Sequence, residues 1–162
     1  MKRTRVLFVA LVSIVALSTL SATTASGNAC WTFKGNDRKM AKKVNKARSS
    51  NGKSNVKLDP ELSRIARRHS KSMAKSEELV HTKNLGGKVT NWKSLGENIG
   101  YGDSIKQLHK MFMNSEVHKD NILKSEFRYV GVGTVKKGGW LWTTVIFESK
   151  KNPGTTLGMP SC

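Results

Sequence analysis

The periodicity of this chain changes after Phe127, and that change constrains the fold more than any other feature. Two runs come after it, Arg128–Val135 and Trp140–Phe147, both rich in β-branched and aromatic residues. Lys136-Lys137-Gly138-Gly139 between them reads as a hairpin turn. Gly131 and Gly133 share one face of the first run, which leaves room for Trp140 or Trp142 to lie across it. Everything before Phe127 that has a period has a helical one. Helices first and then a hairpin indicate an α+β class.

The helical stretches carry their own punctuation. Asn36 or Asp37 caps a helix through roughly Ser49, with Met40, Val44 and Ala47 on one face, and Ser50-Asn51-Gly52 ends it. Asp59 is the N-cap of the next, with Pro60 at the first helical position, where its missing N–H costs nothing. Leu62, Ile65, Ala66, His69 and Met73 form its stripe, so His69 is expected to be a core histidine bonded to backbone. Asp103 or Ser104 caps a third helix with the stripe Ile105, Leu108 and Phe112, and His109 lies at its core or rim. Ser115–Leu123 reads as a short fourth helix or turn.

One stretch points to chemistry. Ser94-Leu95-Gly96-Glu97-Asn98-Ile99-Gly100-Tyr101-Gly102 sets one acid among three glycines, in a chain with only 11 Asp and Glu. It reads as a glycine-rich turn that places Glu97 or, more plainly, as a connector whose Glu97 caps the next turn of the chain. His81 upstream and Glu116 and His118 downstream supply two imidazoles and a second acid that can converge on it.

The ends bear on location. Met1-Lys2-Arg3-Thr4-Arg5, an apolar run from Val6 to Leu20 and small residues after it read as a secretory signal over residues 1–25, cleaved after Ala25. The mature part, residues 26–162, is then one exported domain without a second apolar run. Its two cysteines, Cys30 and Cys162, are expected to pair in an oxidising compartment. The competing role for Cys30, lipid attachment, lacks the leucine expected before it. The formal charge is +18, of which +15 remains once Lys2, Arg3 and Arg5 leave with the signal. That balance favours anionic wall polymers or lipid headgroups as partners. Its basic residues are scattered as pairs such as Arg38-Lys39, Lys42-Lys43, Arg67-Arg68 and Lys136-Lys137, and no motif for specific nucleic-acid recognition accompanies them.

Several of these motifs occur together in a recognisable order. Asn45, Arg48, Leu58-Asp59-Pro60, Ala66, His69-Ser70, His81, Gly96-Glu97-Asn98-Ile99, Phe112-Met113-Asn114-Ser115, His118, Asn121-Ile122-Leu123 and Val130-Gly131-Val132-Gly133 resemble the CAP superfamily. That superfamily comprises cysteine-rich secretory proteins, antigen 5 and plant pathogenesis-related proteins. The similarity runs from about Ala41 to Phe147 and is nearest to the short bacterial-type (SCP) members. The resemblance implies an α–β–α sandwich with a small antiparallel sheet between helices and a cleft on one side. It also implies a divalent-cation site, with His81, Glu97 and His118 matching three members of the family's tetrad. The fourth position is Ser115, as in bacterial-type members, with Glu116 beside it.

Two imidazoles with one or two carboxylates suit Zn²⁺ or another divalent cation. The resulting expectation is a secreted binding module with a His/Glu cleft, for which the family implies lipid or sterol as ligand. One alternative is a metal-assisted extracellular hydrolase with Glu97 or Glu116 as general base. Another is a basic protein that adheres to anionic surfaces. No serine or cysteine nucleophile is paired with these histidines in a recognisable elbow motif.

Overall fold

The computed structural model describes residues 31–149 and the two-residue strand 154–155. Residues 1–25, read as a signal segment, and the cysteines expected to pair, Cys30 and Cys162, lie outside the described residues.

Helix α1 spans Gly35–Ser50 with Lys34 as N-cap, two or three residues earlier than its sequence suggests, because Asp37 turns back to accept from the Lys34 N–H at 3.0 Å. Strand β1 is Lys57–Leu58, followed by α2, Pro60–Ser76. Asp59 caps α2 by accepting from the Leu62 N–H at 2.8 Å, as Asp-Pro predicts. A short turn of helix, α3 (Leu85–Lys88), leads into β2 (Val89–Thr90) and then β3 (Leu95–Gly102). Helix α4 (Ile105–Asn114) starts at Ser104, whose Oγ accepts from the Gln107 N–H, and α5 is Glu116–Leu123. The hairpin is β4 (Tyr129–Lys137) and β5 (Trp140–Glu148), turned at Gly138-Gly139 with φ of +58° and +83°. A small strand, β6 (Gly154–Thr155), pairs with β2.

The main sheet has the order β1-β4-β5-β3, antiparallel except for the short parallel pair β1–β4. The α–β–α sandwich is as expected, and alternation along the strands divides it. Val130, Val132, Val145 and Phe147 face α1, α4 and α5, joining Met40, Val44, Leu108, Phe112 and Ile122 in the larger core. The opposite face meets α2, where Ile146 packs with Leu62, Ile65 and Ala66. Gly131 and Gly133 do leave room, but for α2 and not for a tryptophan: a Cβ on either would fall within 2.3 Å of the α2 backbone. Ser63 Oγ accepts from the Val132 N–H at 3.0 Å, and Ser70 Oγ lies 2.9 Å from the Gly133 carbonyl, so the seam is polar as well as close.

The stretch Ser94–Gly102 corrects the sequence reading. It is a strand over most of its length, and none of its glycines has a positive φ. Glycine serves close packing there instead. A Cβ on Gly100 would meet Phe112 and Leu108 of α4, and one on Gly96 would meet Asn121 and Phe127.

His109 settles at the interface of α4 with α1. Burial first, then the nearby Lys43 charge, holds its pKa below the ordinary imidazole value, against a hydrogen bond to the Lys43 backbone. Below about pH 6.5 the unfolded chain therefore takes up a proton that the folded one resists, and stability falls as pH drops toward the folded value. Urea unfolding at pH 7.5 and 5.5 should show this loss, and His109→Gln should lessen it. A pH dependence unchanged in that variant would assign the effect elsewhere, His118 being displaced in the same direction.

Candidate functional site

The site forms along β3, the outer strand beside β5, where the loop after α2 and helix α5 both reach it. Strand alternation sends Leu95, Glu97, Ile99 and Tyr101 to the α2 side and Asn98 to the α5 side. Glu97 is fixed on both oxygens: Oε1 lies 2.7 Å from His81 Nδ1 and accepts from the Thr82 N–H at 2.9 Å, while Oε2 accepts from Thr82 Oγ1 at 2.5 Å. Its side chain is 6% exposed and that of His81 is 64% exposed, so the acid is the anchor and the imidazole the outward group. With the shared proton on Nδ1, His81 keeps Nε2 as a lone pair facing outward.

The His81 loop is held from a second side. His69 Nε2 lies 2.6 Å from the Val80 carbonyl, so its partner is backbone, as its place on the stripe suggests, though the ring is only half-buried. On the other flank, Asn98 Nδ2 donates to the His118 carbonyl at 2.9 Å, and Asn121 Nδ2 donates to Asn98 Oδ1 at 2.9 Å. This amide pair ties α5 to β3. His118 sits on α5, not on a connector, with its ring 5.1 Å from that of Phe112. Burial first, then the His81 charge, lowers its pKa.

The structure thus brings together His81, Thr82 and Glu97, with His118 in electrostatic reach. Glu116 stands exposed at the start of α5. Among the described residues no group of three or more His, Cys, Asp or Glu is arranged to hold a metal ion. Both Glu97 oxygens are engaged with the loop, Oε1 by His81 and the Thr82 N–H and Oε2 by the Thr82 hydroxyl. Thr82 is the member that sequence reasoning misses. Once Leu95–Gly102 is read as a strand, Glu97 needs a partner on the facing loop, and the residue after His81 is the natural donor.

Next to this cluster is a cleft of about 450 Å³ between β3, α4 and the tip of the hairpin. Leu79, Tyr101, Met111 and Trp140 line it, with Ser115 and His118 as polar groups. Tyr101 stacks on Trp142 at 5.0 Å and meets Trp140 edge-on at 5.9 Å, which fixes one aromatic wall.

Residues 41–147 match the family model described as CAP, the cysteine-rich secretory protein family. The chain belongs to the CAP family. This CAP domain is 31% identical over 116 residues to YkwD of Bacillus subtilis (strain 168), described as uncharacterized, covering 66% of this chain and 45% of that protein. It superposes on an extracellular SCP-domain protein from Bacillus anthracis with a TM-score of 0.63 and 24% identity, over 72% of this chain and 41% of that one. The chain therefore spans less than half the length of either relative. NaASP2, crystallised with Zn²⁺, has the same fold at a TM-score of 0.53 and 14% identity, over 70% of this chain and 80% of that one. Among the described residues, no helix of the CAP domain is long and apolar enough to cross a membrane.

Proposed function

We propose that this CAP domain is an extracellular binding module whose cleft takes an apolar or amphipathic small molecule, of the lipid or sterol class. The observation that supports this reading is where the exposed apolar side chains gather. Leu79 (46% exposed), Tyr101 (45%), Met111 (49%) and Trp140 (46%) are four large apolar side chains left in solvent, and all four line one cleft. Scattered apolar residues need no explanation, whereas a cluster in a concavity of small-molecule size marks a binding site. His118, Ser115 and Gln107 supply the few polar groups that orient a headgroup or hydroxyl.

A second reading concerns the cation. Zn²⁺ would be held by His81 Nε2 and His118, with Glu97 as the residue that orients His81 and Glu116 uninvolved. The hydrogen bond from His81 Nδ1 to Glu97 favours that division of roles. A hydrolytic role has less support: both Glu97 oxygens already accept hydrogen bonds from the His81–Thr82 loop, and Glu116 lies on the exposed start of α5.

Titration with a fluorescent sterol or fatty acid, read by energy transfer from tryptophan, tests both readings. Tyr101→Ser and Met111→Asp should each weaken binding about tenfold, the loss expected for one buried apolar contact. The same titration with Zn²⁺ present should shift only if His81 and His118 reach the ligand or the metal, and His118→Ala should abolish the shift. No binding of any apolar probe at high micromolar concentration would refute the cleft reading.

A further inference from the structure

Basic residues that are scattered in the sequence converge in the fold. Lys39, Lys42, Lys43 and Lys46 recur along α1 at three, four and seven residues, so they share one helix face. Lys106 from α4 and Lys136 from the hairpin close the other walls of a groove of about 640 Å³. A single acid, Asp103, lines it. Of the ion pairs formed among the described residues, none uses any of these six lysines. The groove shares no residue with the apolar cleft. Six cations gathered around one acid repel one another, and an anion relieves that repulsion.

The lining narrows the partner. Every base in it is lysine, a compact charge with rotatable donors that binds phosphate as a point charge without fixing its orientation, whereas arginine's flat fork would impose a bidentate geometry. No aromatic side chain lines the groove, so it has no platform for stacking nucleobases. Its apolar contributors, Ile105 and Leu141, are 5% and 8% exposed and offer nothing to insert into a bilayer. The lysines of α1 also run in a line about 10 Å long, at 1.5 Å of rise per residue. A concave, linear, predominantly cationic track fits a chain and not a plane.

We propose that the α1–α4 groove binds a flexible linear polymer of phosphodiesters without bases, of the poly(glycerol phosphate) kind. The contacts are ammonium to phosphate and give no register, so binding is salt-dependent and tolerant of where along the polymer it starts. This goes beyond the cleft reading and does not depend on it.

The experiment follows fluorescence anisotropy of labelled poly(glycerol phosphate) with the purified protein across a series of NaCl concentrations. The logarithm of the binding constant should fall linearly with the logarithm of salt. In K39Q/K42Q/K43Q/K46Q the slope should become shallower by about 3 and the affinity at low salt should drop at least tenfold, each phosphate contact adding roughly 0.7–0.9 to the slope. Lys43 is half-buried beside His109, so K39Q/K42Q/K46Q is measured as well, with an expected change of about 2 in slope. K57Q/K75Q/K83Q/K93Q removes the same charge from exposed positions elsewhere and should bind almost as the parent does. Equal losses in the groove and control variants would mean that net charge, not the groove, holds the polymer. Tighter groove-dependent binding to poly-glutamate, to a single-stranded oligonucleotide or to phosphatidylglycerol vesicles would overturn the assignment of partner.

Discussion

Arg48→Ala should destabilise the domain by about 3–5 kcal/mol in urea unfolding, more than any substitution in the cleft. Arg48 is fully buried, and none of the ion pairs among the described residues involves its guanidinium. Its Nε donates to the Ser54 carbonyl at 2.7 Å and its Nη1 to the carbonyls of Ile122 and Lys124 at 2.7 and 3.0 Å. Nη2 reaches the Phe127 carbonyl at 3.4 Å. These carbonyls belong to the loop after α1, the last turn of α5 and the approach to β4, so one guanidinium joins three segments that also share the larger core. The carbonyls at the end of α5 are the ones a helix leaves without intrahelical partners, so Arg48 acts as their cap from another helix. Removing it leaves several buried acceptors bare and a cavity beside them. Arg48→Lys should recover only part of the loss, since one ammonium cannot span the positions that the planar fork reaches. Because α5 carries His118 and Asn121, loosening its end should also weaken ligand binding in the cleft. A loss under about 1 kcal/mol would show that the carbonyls find water instead.

Arg48 also shows where sequence reasoning stops. It is visible only as a member of a motif, since nothing in a helix pattern distinguishes a buried arginine from a solvated one. The helices are legible because their stripes and caps are local: Asp59-Pro60 and Ser104 act within one turn. The hairpin is legible from its turn glycines and β-branched runs. Strand β3 is not, because Gly96, Gly100 and Gly102 imitate a loop until α4, α5 and Phe127 are in place to press on them. At the site, residue type and resemblance nominate His81, Glu97 and His118. What their approach does is not legible, since it depends on Thr82 occupying Glu97. The apolar cleft escapes sequence reasoning because Leu79, Tyr101, Met111 and Trp140 come from four separate segments and share no period. The lysine groove reads as dispersed charge because Lys106 and Lys136 lie far along the chain from α1.

Gly133→Ala is the second substitution with a large expected effect, about 3 kcal/mol or more, beyond the usual cost of overpacking. An ideal Cβ there would lie 2.0 Å from the Arg67 nitrogen, 2.2 Å from its Cα and 2.4 Å from the Ala66 carbonyl carbon. These are backbone atoms of α2, so no rotamer change relieves the clash and the helix itself must move away from the sheet. Gly131→Ala should behave alike, its Cβ falling 2.3 Å from the Leu62 carbonyl carbon. Gly35→Ala is the internal control: nothing lies within 4 Å of its Cβ, its φ is not positive, and alanine at that helical position should be neutral or slightly stabilising. The consequence extends to the site. Helix α2 carries Ser70, which holds the Gly133 carbonyl and Thr144, and beside it His69, whose Nε2 holds the Val80 carbonyl. Lifting α2 therefore pulls on the loop that presents His81 and Thr82 to Glu97, and Leu79 at the cleft rim moves with it. If enough of the Gly133→Ala protein folds to be titrated, its affinity for an apolar probe should fall together with its stability. A variant as stable as Gly35→Ala would mean that α2 does not rest on β4 at this distance, and the seam that sets the position of the cleft would have to be redrawn.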